Sequence, residues 1–118
     1  TCALPILDGS LPDDAHVAAA FLQIIREAST NATKHAQAHQ VQVRLWQEVS
    51  DGGAIAHMTV SNDGAPAPVS YREGTGIPGM RHVAQNLGGS LEVHAAPPFT
   101  LAVSIPLNSN ATVQRRSS

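Results

Sequence analysis

Hydrophobic positions recur with two different periods along this chain, and the first period predicts a long helix. From Ala15 to about Ala38 there is no Gly or Pro. Apolar residues in this stretch recur at three- and four-residue spacing, at Val17, Phe21, Ile24, Ile25, Ala28 and Ala32. Such spacing places them on one face of an amphipathic helix. Asp13 or Asp14 lies just before the helix and suits its N-cap.

The second period is strict alternation, which predicts strands. The apolar residues Val41, Val43 and Leu45 alternate with polar or amphipathic neighbours. Ser50-Asp51-Gly52-Gly53 then predicts a hairpin turn, followed by a returning strand over residues 54–60. Two further strands are predicted at residues 90–95 and 101–107.

The rest of the chain is predicted to be one short helix and irregular segments. Residues 61–79 are rich in Gly and Pro and form a long loop, which inside a compact domain is usually functional. A short helix follows from Met80 to Leu87 and ends at Gly88-Gly89. Residues 1–12 are expected to be irregular, and residues 108–118 to form a flexible polar tail.

Strands that arrive in hairpin pairs predict the fold class. We expect an α+β two-layer sandwich, in which helices cover one face of a mixed, mainly antiparallel sheet. Residues 1–107 form one domain in this interpretation. The length of 118 residues supports a single core without a disulfide or metal.

Composition narrows the classes of function. The formal net charge is -2, which gives no support for a nucleic-acid or anionic-membrane surface. The one cysteine favours a reducing, cytoplasmic setting. No apolar run is long enough to span a bilayer. The start without Met is typical of an excised fragment, whose parent protein could carry an inner-membrane anchor outside this chain.

One polar stripe on the long helix is suited to metal and phosphate chemistry. Glu27, Asn31 and His35 are spaced i, i+4 and i+8, with Lys34 beside them. Each step is about 6 Å along the helix. A carboxylate, an amide oxygen and cations suit Mg²⁺ with phosphates, since Mg²⁺ binds few protein ligands. The alternative is an ordinary solvated helix face.

Two loop motifs add candidate binding positions. Asn62-Asp63-Gly64 follows the returning strand, where a polar group beside a Gly is a common binding geometry and equally a plain turn. Gly74-Thr75-Gly76-Ile77-Pro78-Gly79 leads into the short helix, whose N-terminal N–H groups suit an anion. This string also satisfies G-x-G-x-x-G, but no buried strand is predicted directly before it, so a dinucleotide fingerprint is weakly supported.

Together these motifs resemble a known family. The segments IIREASTNATKHAQAHQVQV, TVSNDG, GTGIPGMRHVAQNLGGSLEV and SIPL occur in the order found in the ATP-binding catalytic domain of sensor histidine kinases. This domain has the Bergerat (GHKL) fold, which gyrase, Hsp90 and MutL share. The KHA and G-x-x-G-M-R runs look most like the DesK-like subfamily, whose sensors pair with response regulators of the NarL/LuxR type.

The resemblance implies roles for individual residues. Asn31 would be the Mg²⁺ ligand and Glu27 a polarising group near the metal, and these two would be the catalytic pair. Residues 65–73 would form a lid over ATP. The implied ATP-binding residues are Asn31, Lys34, His35, Asn62, Asp63, Gly64, Gly74, Thr75, Gly76, Ile77, Gly79, Met80 and Thr100, with Gly79 at the start of the short helix.

Three departures from the family pattern alter these expectations. Asn62 stands where the family has an adenine-reading Asp, which predicts weaker discrimination between adenine and guanine, unless Asp63 reads the base instead. Pro98-Phe99-Thr100 replaces a Gly-Gly-Thr segment. Pro66 replaces the second glycine at the start of the lid and stiffens it.

The resemblance also implies partners and leaves alternatives. The phosphorylated histidine would lie on a separate, upstream dimerisation domain, so this fragment is expected to bind Mg-ATP as a monomer without efficient autophosphorylation, within a homodimeric parent. A response regulator would act downstream. The alternatives are a serine kinase of the anti-sigma-factor type, a degenerate nucleotide- or partner-binding module, and a fragment of a dinucleotide-dependent oxidoreductase.

Overall fold

The described residues form five strands and two helices, which make up two layers. In this computed structural model the described residues are 4–35, 40–64, 76–94 and 98–107. The elements follow in the order β1 (Leu4–Asp8), α1 (Ala15–His35), β2 (Gln40–Ser50), β3 (Gly53–Asn62), α2 (Ile77–Asn86), β4 (Ser90–His94) and β5 (Thr100–Leu107).

The sheet is mixed and mainly antiparallel, as the sequence predicts. Its strand order is β1-β2-β3-β5-β4. The β1–β2 pair is parallel, and the β2–β3, β3–β5 and β4–β5 pairs are antiparallel. Alternate residues of the central strands are buried between the sheet and the helices, so the predicted α+β sandwich is confirmed.

Helix α1 forms where the sequence predicts it. The Asp14 carboxylate accepts hydrogen bonds from the backbone N–H groups of His16 (2.9 Å) and Val17 (3.2 Å), so Asp14 is the N-cap. All six apolar positions of the predicted stripe are buried in the core. The helix is described as far as His35, and the rest of its predicted length lies outside the described residues.

The prediction of an irregular N-terminus is wrong, because Leu4–Asp8 is an edge strand. It pairs in parallel with β2, with Ile6 beside Gln42 and Leu7 beside Val43. Ile6 and Leu7 are 50% and 48% exposed, so the segment lacks the buried and exposed alternation that marks a strand in sequence. Its partner lies far along the chain, and local patterns therefore could not reveal it.

Helix α2 begins three residues earlier than predicted. It starts at Ile77 rather than Met80, so Gly79 lies inside the first turn instead of marking the helix start. Pro78 is compatible with this because a proline in the first turn removes an N–H that has no partner within the helix. At the other end, Gly88 has a φ of +80° and Gly89 donates to the Ala84 carbonyl (2.9 Å), which confirms the predicted glycine stop.

The face of the sheet away from the helices remains uncovered by described residues. On it, Trp46 stacks on His57 with ring centroids 5.2 Å apart. The ring nitrogens of His57 contact Ser104 Oγ (2.8 Å) and Glu48 Oε1 (2.9 Å). Within the described ranges, no helix has the length and apolar character needed to cross a membrane.

Candidate nucleotide-binding site

One residue of the polar stripe of α1, Asn31, is buried. Asn31 is only 4% exposed, whereas Glu27, one turn earlier, and Lys34 are exposed. A solvated helix face would leave all three side chains in water, so that alternative does not describe Asn31. Helix α1 packs against β3 of the sheet and against α2 in its own layer. His35 is the last residue of α1, and its side chain lies outside the described residues.

Glu27 reaches across to the beginning of α2. Gly76 is the N-cap of α2, with φ +89° and ψ -12°, a left-handed conformation that favours glycine. A Cβ atom placed on Gly76 would lie 2.5 Å from Glu27 Oε2, so the carboxylate packs directly on the glycine. The carboxylate therefore lies at the positive end of the helix dipole, where a negative charge is stabilised.

A small open cleft lies between the two helices at this contact. Its volume is about 170 Å³. Its lining residues come from both helices and from the N-cap: Gln23, Glu27, Gly76, Gly79, Met80 and Val83. Sequence reasoning missed Gln23 and Val83, because their place beside α2 depends on how the helices pack rather than on any local motif.

The Asn62-Asp63-Gly64 segment forms a hydrogen-bonded turn at the end of β3. Asn62 is 7% exposed, and its Oδ1 atom accepts a hydrogen bond from the Gly64 N–H (2.8 Å). Asp63 is exposed, and its carboxylate accepts the Gln40 N–H (3.0 Å). These bonds hold Asn62 within the turn and join Asp63 to the beginning of β2, while the binding role expected for both residues stays a prediction.

The remaining predicted residues divide into three groups. Ile77 and Met80 lie on the buried side of α2 and belong to the core, so their side chains act mainly in packing. Thr100 begins β5, and its hydroxyl donates to the Pro98 carbonyl (2.9 Å). Gly74 and Thr75, together with the predicted lid over residues 65–73, lie outside the described residues.

The dinucleotide-fold alternative is inconsistent with the sheet. A strand should run directly into the first glycine of its fingerprint, within a parallel sheet. The segment directly before Gly74 lies outside the described residues, but three of the four described strand pairs are antiparallel, including both pairs that β3 makes. The glycine string therefore belongs to a different architecture.

Comparison with known proteins identifies that architecture. The family model described as histidine kinase-, DNA gyrase B- and HSP90-like ATPase matches residues 16–109. The chain is 36% identical over 90 residues to the sensor histidine kinase DesK of Bacillus subtilis, covering 72% of this chain and 22% of DesK. It is 36% identical over 94 residues to the nitrate/nitrite sensor protein NarQ of Escherichia coli, covering 77% of this chain and 16% of NarQ. The chain thus spans about a fifth of these relatives.

Solved structures give the same result. The histidine kinase domain of the blue-light activated histidine kinase of Erythrobacter litoralis EL346 has a TM-score of 0.61 at 26% identity, covering 92% of this chain and 52% of that one. The ATP binding domain of PrrB from Mycobacterium tuberculosis has a TM-score of 0.67 and covers 88% of this chain and 79% of its own, and at 20% identity it supports the fold alone. The family model covers both described helices and four of the five described strands, so this chain belongs to the histidine kinase-, DNA gyrase B- and HSP90-like ATPase family.

Proposed function

We propose that this chain is the ATP-binding catalytic domain of a sensor histidine kinase. It binds Mg-ATP and donates the γ-phosphoryl group to a histidine on a dimerisation domain outside the chain. The observation that carries the proposal is the packing of Glu27 against Gly76, which brings the polar stripe of α1 to the N-terminus of α2. The named relatives DesK and NarQ, a sensor kinase and a nitrate/nitrite sensor, support the same assignment.

The donor set at this junction fits Mg²⁺. Asn31 and Glu27 offer an amide oxygen and a carboxylate one helical turn apart, and Mg²⁺ prefers one or two such oxygen ligands together with phosphate oxygens. In this proposal Asn31 holds the ion, and Glu27 orients its water molecules. When bound, the ion neutralises charge on the β- and γ-phosphates.

The N-terminus of α2 supplies donors for the phosphates. The Met80 N–H is bound to the Gly76 carbonyl (2.9 Å), and Pro78 has no N–H, which leaves the amides of Ile77 and Gly79 as first-turn donors. They lie at the positive end of the helix dipole. Lys34, exposed near the end of α1, adds a positive charge. The proposed ATP-binding set is completed by Asn62 at the position of the base and by His35, Asp63, Gly64, Gly74, Thr75 and Thr100.

A binding module without kinase activity is the second candidate, and one observation favours it. Phe99 stands where the family pattern has glycine, and it is buried in the core. The neighbouring Thr100 hydroxyl is already bonded to the Pro98 carbonyl. This stretch is therefore adapted to packing, and a nucleotide could make fewer backbone contacts there.

The proposed partners follow from the reaction. The acceptor histidine is supplied by a dimerisation domain of the same protein, and a response regulator of the NarL/LuxR type receives the phosphoryl group from it. In this proposal the chain lies on the cytoplasmic side of a parent sensor, where ATP is available. The KHA and G-x-x-G-M-R runs support this choice of subfamily.

A transfer assay separates the candidates. The parent protein, with its dimerisation domain, would be incubated with γ-labelled ATP and Mg²⁺, beside an Asn31→Ala variant. We expect label that is lost in acid and kept in alkali, as a phosphohistidine is, and no label on the variant. Acid-stable label would indicate the serine-kinase alternative, and nucleotide binding without label would indicate the binding module.

A further inference from the structure

The side chain of Asn62 is held in one orientation at the end of β3. The residue is buried on the core face of the sheet, in register with Val41. Its backbone N–H donates to the Phe99 carbonyl (3.2 Å). The backbone is therefore held by neighbouring segments on both sides, which fixes the direction in which the Asn62 side chain leaves it.

The hydrogen bond to Gly64 determines which way the Asn62 amide points. The Gly64 N–H lies 2.8 Å from Oδ1, and an N–H group can be satisfied only by an acceptor. The oxygen of the amide must face Gly64, and the NH₂ group must occupy the other end. An aspartate in this place would satisfy Gly64 with one oxygen and present a second acceptor, whereas Asn62 presents donors.

We propose that Asn62 makes this a site for 6-oxopurine nucleotides, which bind at least as well as ATP. The inference rests on the nucleotide site proposed above, in which the base lies at Asn62 as the family resemblance implies. The 6-amino group of adenine is a donor and meets the Asn62 NH₂ unfavourably, while the 6-oxo group of guanine or hypoxanthine is an acceptor and pairs with it. Sites built around one hydrogen-bonding group discriminate strongly against the wrong partner, because the buried group is left unpaired.

Asp63 is less suited to reading the base. Its carboxylate accepts the Gln40 N–H (3.0 Å), and its own N–H donates to the Gln40 carbonyl (3.3 Å). The pair of bonds joins the end of β3 to the beginning of β2. An exposed carboxylate with this structural role leaves base selection to the buried amide of Asn62.

Calorimetric titration with ITP and ATP in Mg²⁺ tests this inference. Inosine carries the 6-oxo group without the 2-amino group of guanosine, so the ratio of the two dissociation constants isolates the edge that Asn62 reads and cancels the contribution of the phosphates. The Asn62→Asp variant keeps an acceptor for the Gly64 N–H and replaces the outward-facing NH₂ donor by a carboxylate oxygen, which is an acceptor. The Asp63→Asn variant is the matched control, because it exchanges the same two groups, a carboxylate and an amide, in the opposite direction at the next residue.

We expect the ratio of Kd for ITP to Kd for ATP to be at or below one in the wild type. It should rise at least tenfold in Asn62→Asp and stay within threefold of the wild-type value in Asp63→Asn. A wild type that binds ATP more tightly than ITP, or a ratio that moves with residue 63 instead of residue 62, overturns the inference while leaving the proposed kinase function intact. If a folded sample binds neither nucleotide, both proposals fail.

Discussion

Replacing Gly76 by alanine should destabilise the domain, while the same replacement at Gly79 should stabilise it. Gly76 has a φ of +89°, a conformation that costs an L-residue about 1–2 kcal/mol. Alanine also reduces the entropy of the unfolded chain, which offsets about 0.4–1 kcal/mol of that cost. The net loss at Gly76 is therefore about 0–1.6 kcal/mol, or about 0.8 kcal/mol at the middle of both ranges.

Gly79 is the matched control because it lies in the first turn of the same helix. It is exposed, and a Cβ atom there would meet nothing within 4 Å. Alanine is favoured over glycine inside a helix by about 0.5–1 kcal/mol. The free energies of unfolding of the two variants should therefore differ by roughly 0.5–2.6 kcal/mol, with a middle value of about 1.5 kcal/mol, and Gly76→Ala should be the less stable.

Urea unfolding followed by circular dichroism measures this difference. With a slope of about 1–3 kcal/mol per molar urea, a difference of about 1.5 kcal/mol places the two midpoints roughly 0.5–1.5 M apart. Equal midpoints, or a Gly76→Ala protein more stable than Gly79→Ala, would show that α2 does not begin at a left-handed Gly76.

The Gly76 variant also tests the contact with Glu27. The three atoms nearest to the added Cβ, at 2.5, 3.1 and 3.2 Å, all belong to the flexible end of the Glu27 side chain. The side chain can rotate away, so this clash should cost little stability but should displace the carboxylate from the helix start. We expect Mg-nucleotide affinity to fall more in this variant than its loss of stability explains, as measured by titration at a temperature where both proteins are fully folded.

Further substitutions test other parts of the structure. Gly9→Ala should destabilise strongly, because its Cβ would collide with the Leu45 carbonyl oxygen, whereas Gly52→Ala, with nothing within 4 Å, should be close to neutral in urea unfolding. Phe21→Ala should cost about 3–5 kcal/mol in the same assay, because the side chain is fully buried. Glu27→Gln should strengthen nucleotide binding without Mg²⁺ and weaken it with Mg²⁺, since the carboxylate repels bare phosphates, and calorimetry with and without the ion would detect this reversal.

Local patterns predicted the elements whose burial is periodic. The stripe of α1 and the alternation in β2 are strong signals, because residues that are close together in sequence lie on the same buried face of the element. Strand β1 was missed because pairing with β2 stabilises it, and its own residues Ile6 and Leu7 are both half-exposed. The start of α2 was misplaced because Gly76 and Pro78 resemble a loop in sequence, while they also fit a helix N-terminus.

The site was predicted as separate motifs but not as an arrangement. Helical spacing placed Glu27 and Asn31 on one stripe, yet the contact between Glu27 and Gly76 joins segments far apart in the chain. The orientation of the Asn62 amide likewise depends on the Gly64 N–H, a detail of turn geometry that residue type alone does not fix. Sequence therefore identified the chemistry, and packing determined which groups meet.

Calorimetric titration of this chain with a non-hydrolysable ATP analogue, with and without Mg²⁺, tests most directly whether the chain binds Mg-ATP through Asn31. An Asn31→Ala variant removes the proposed ligand, and Asn86→Ala removes the same side chain from an exposed position at the other end of α2. We expect Mg²⁺-dependent binding by the wild type and by Asn86→Ala, and none by Asn31→Ala. Absence of binding by a folded wild type, or equal binding by all three proteins, would contradict it.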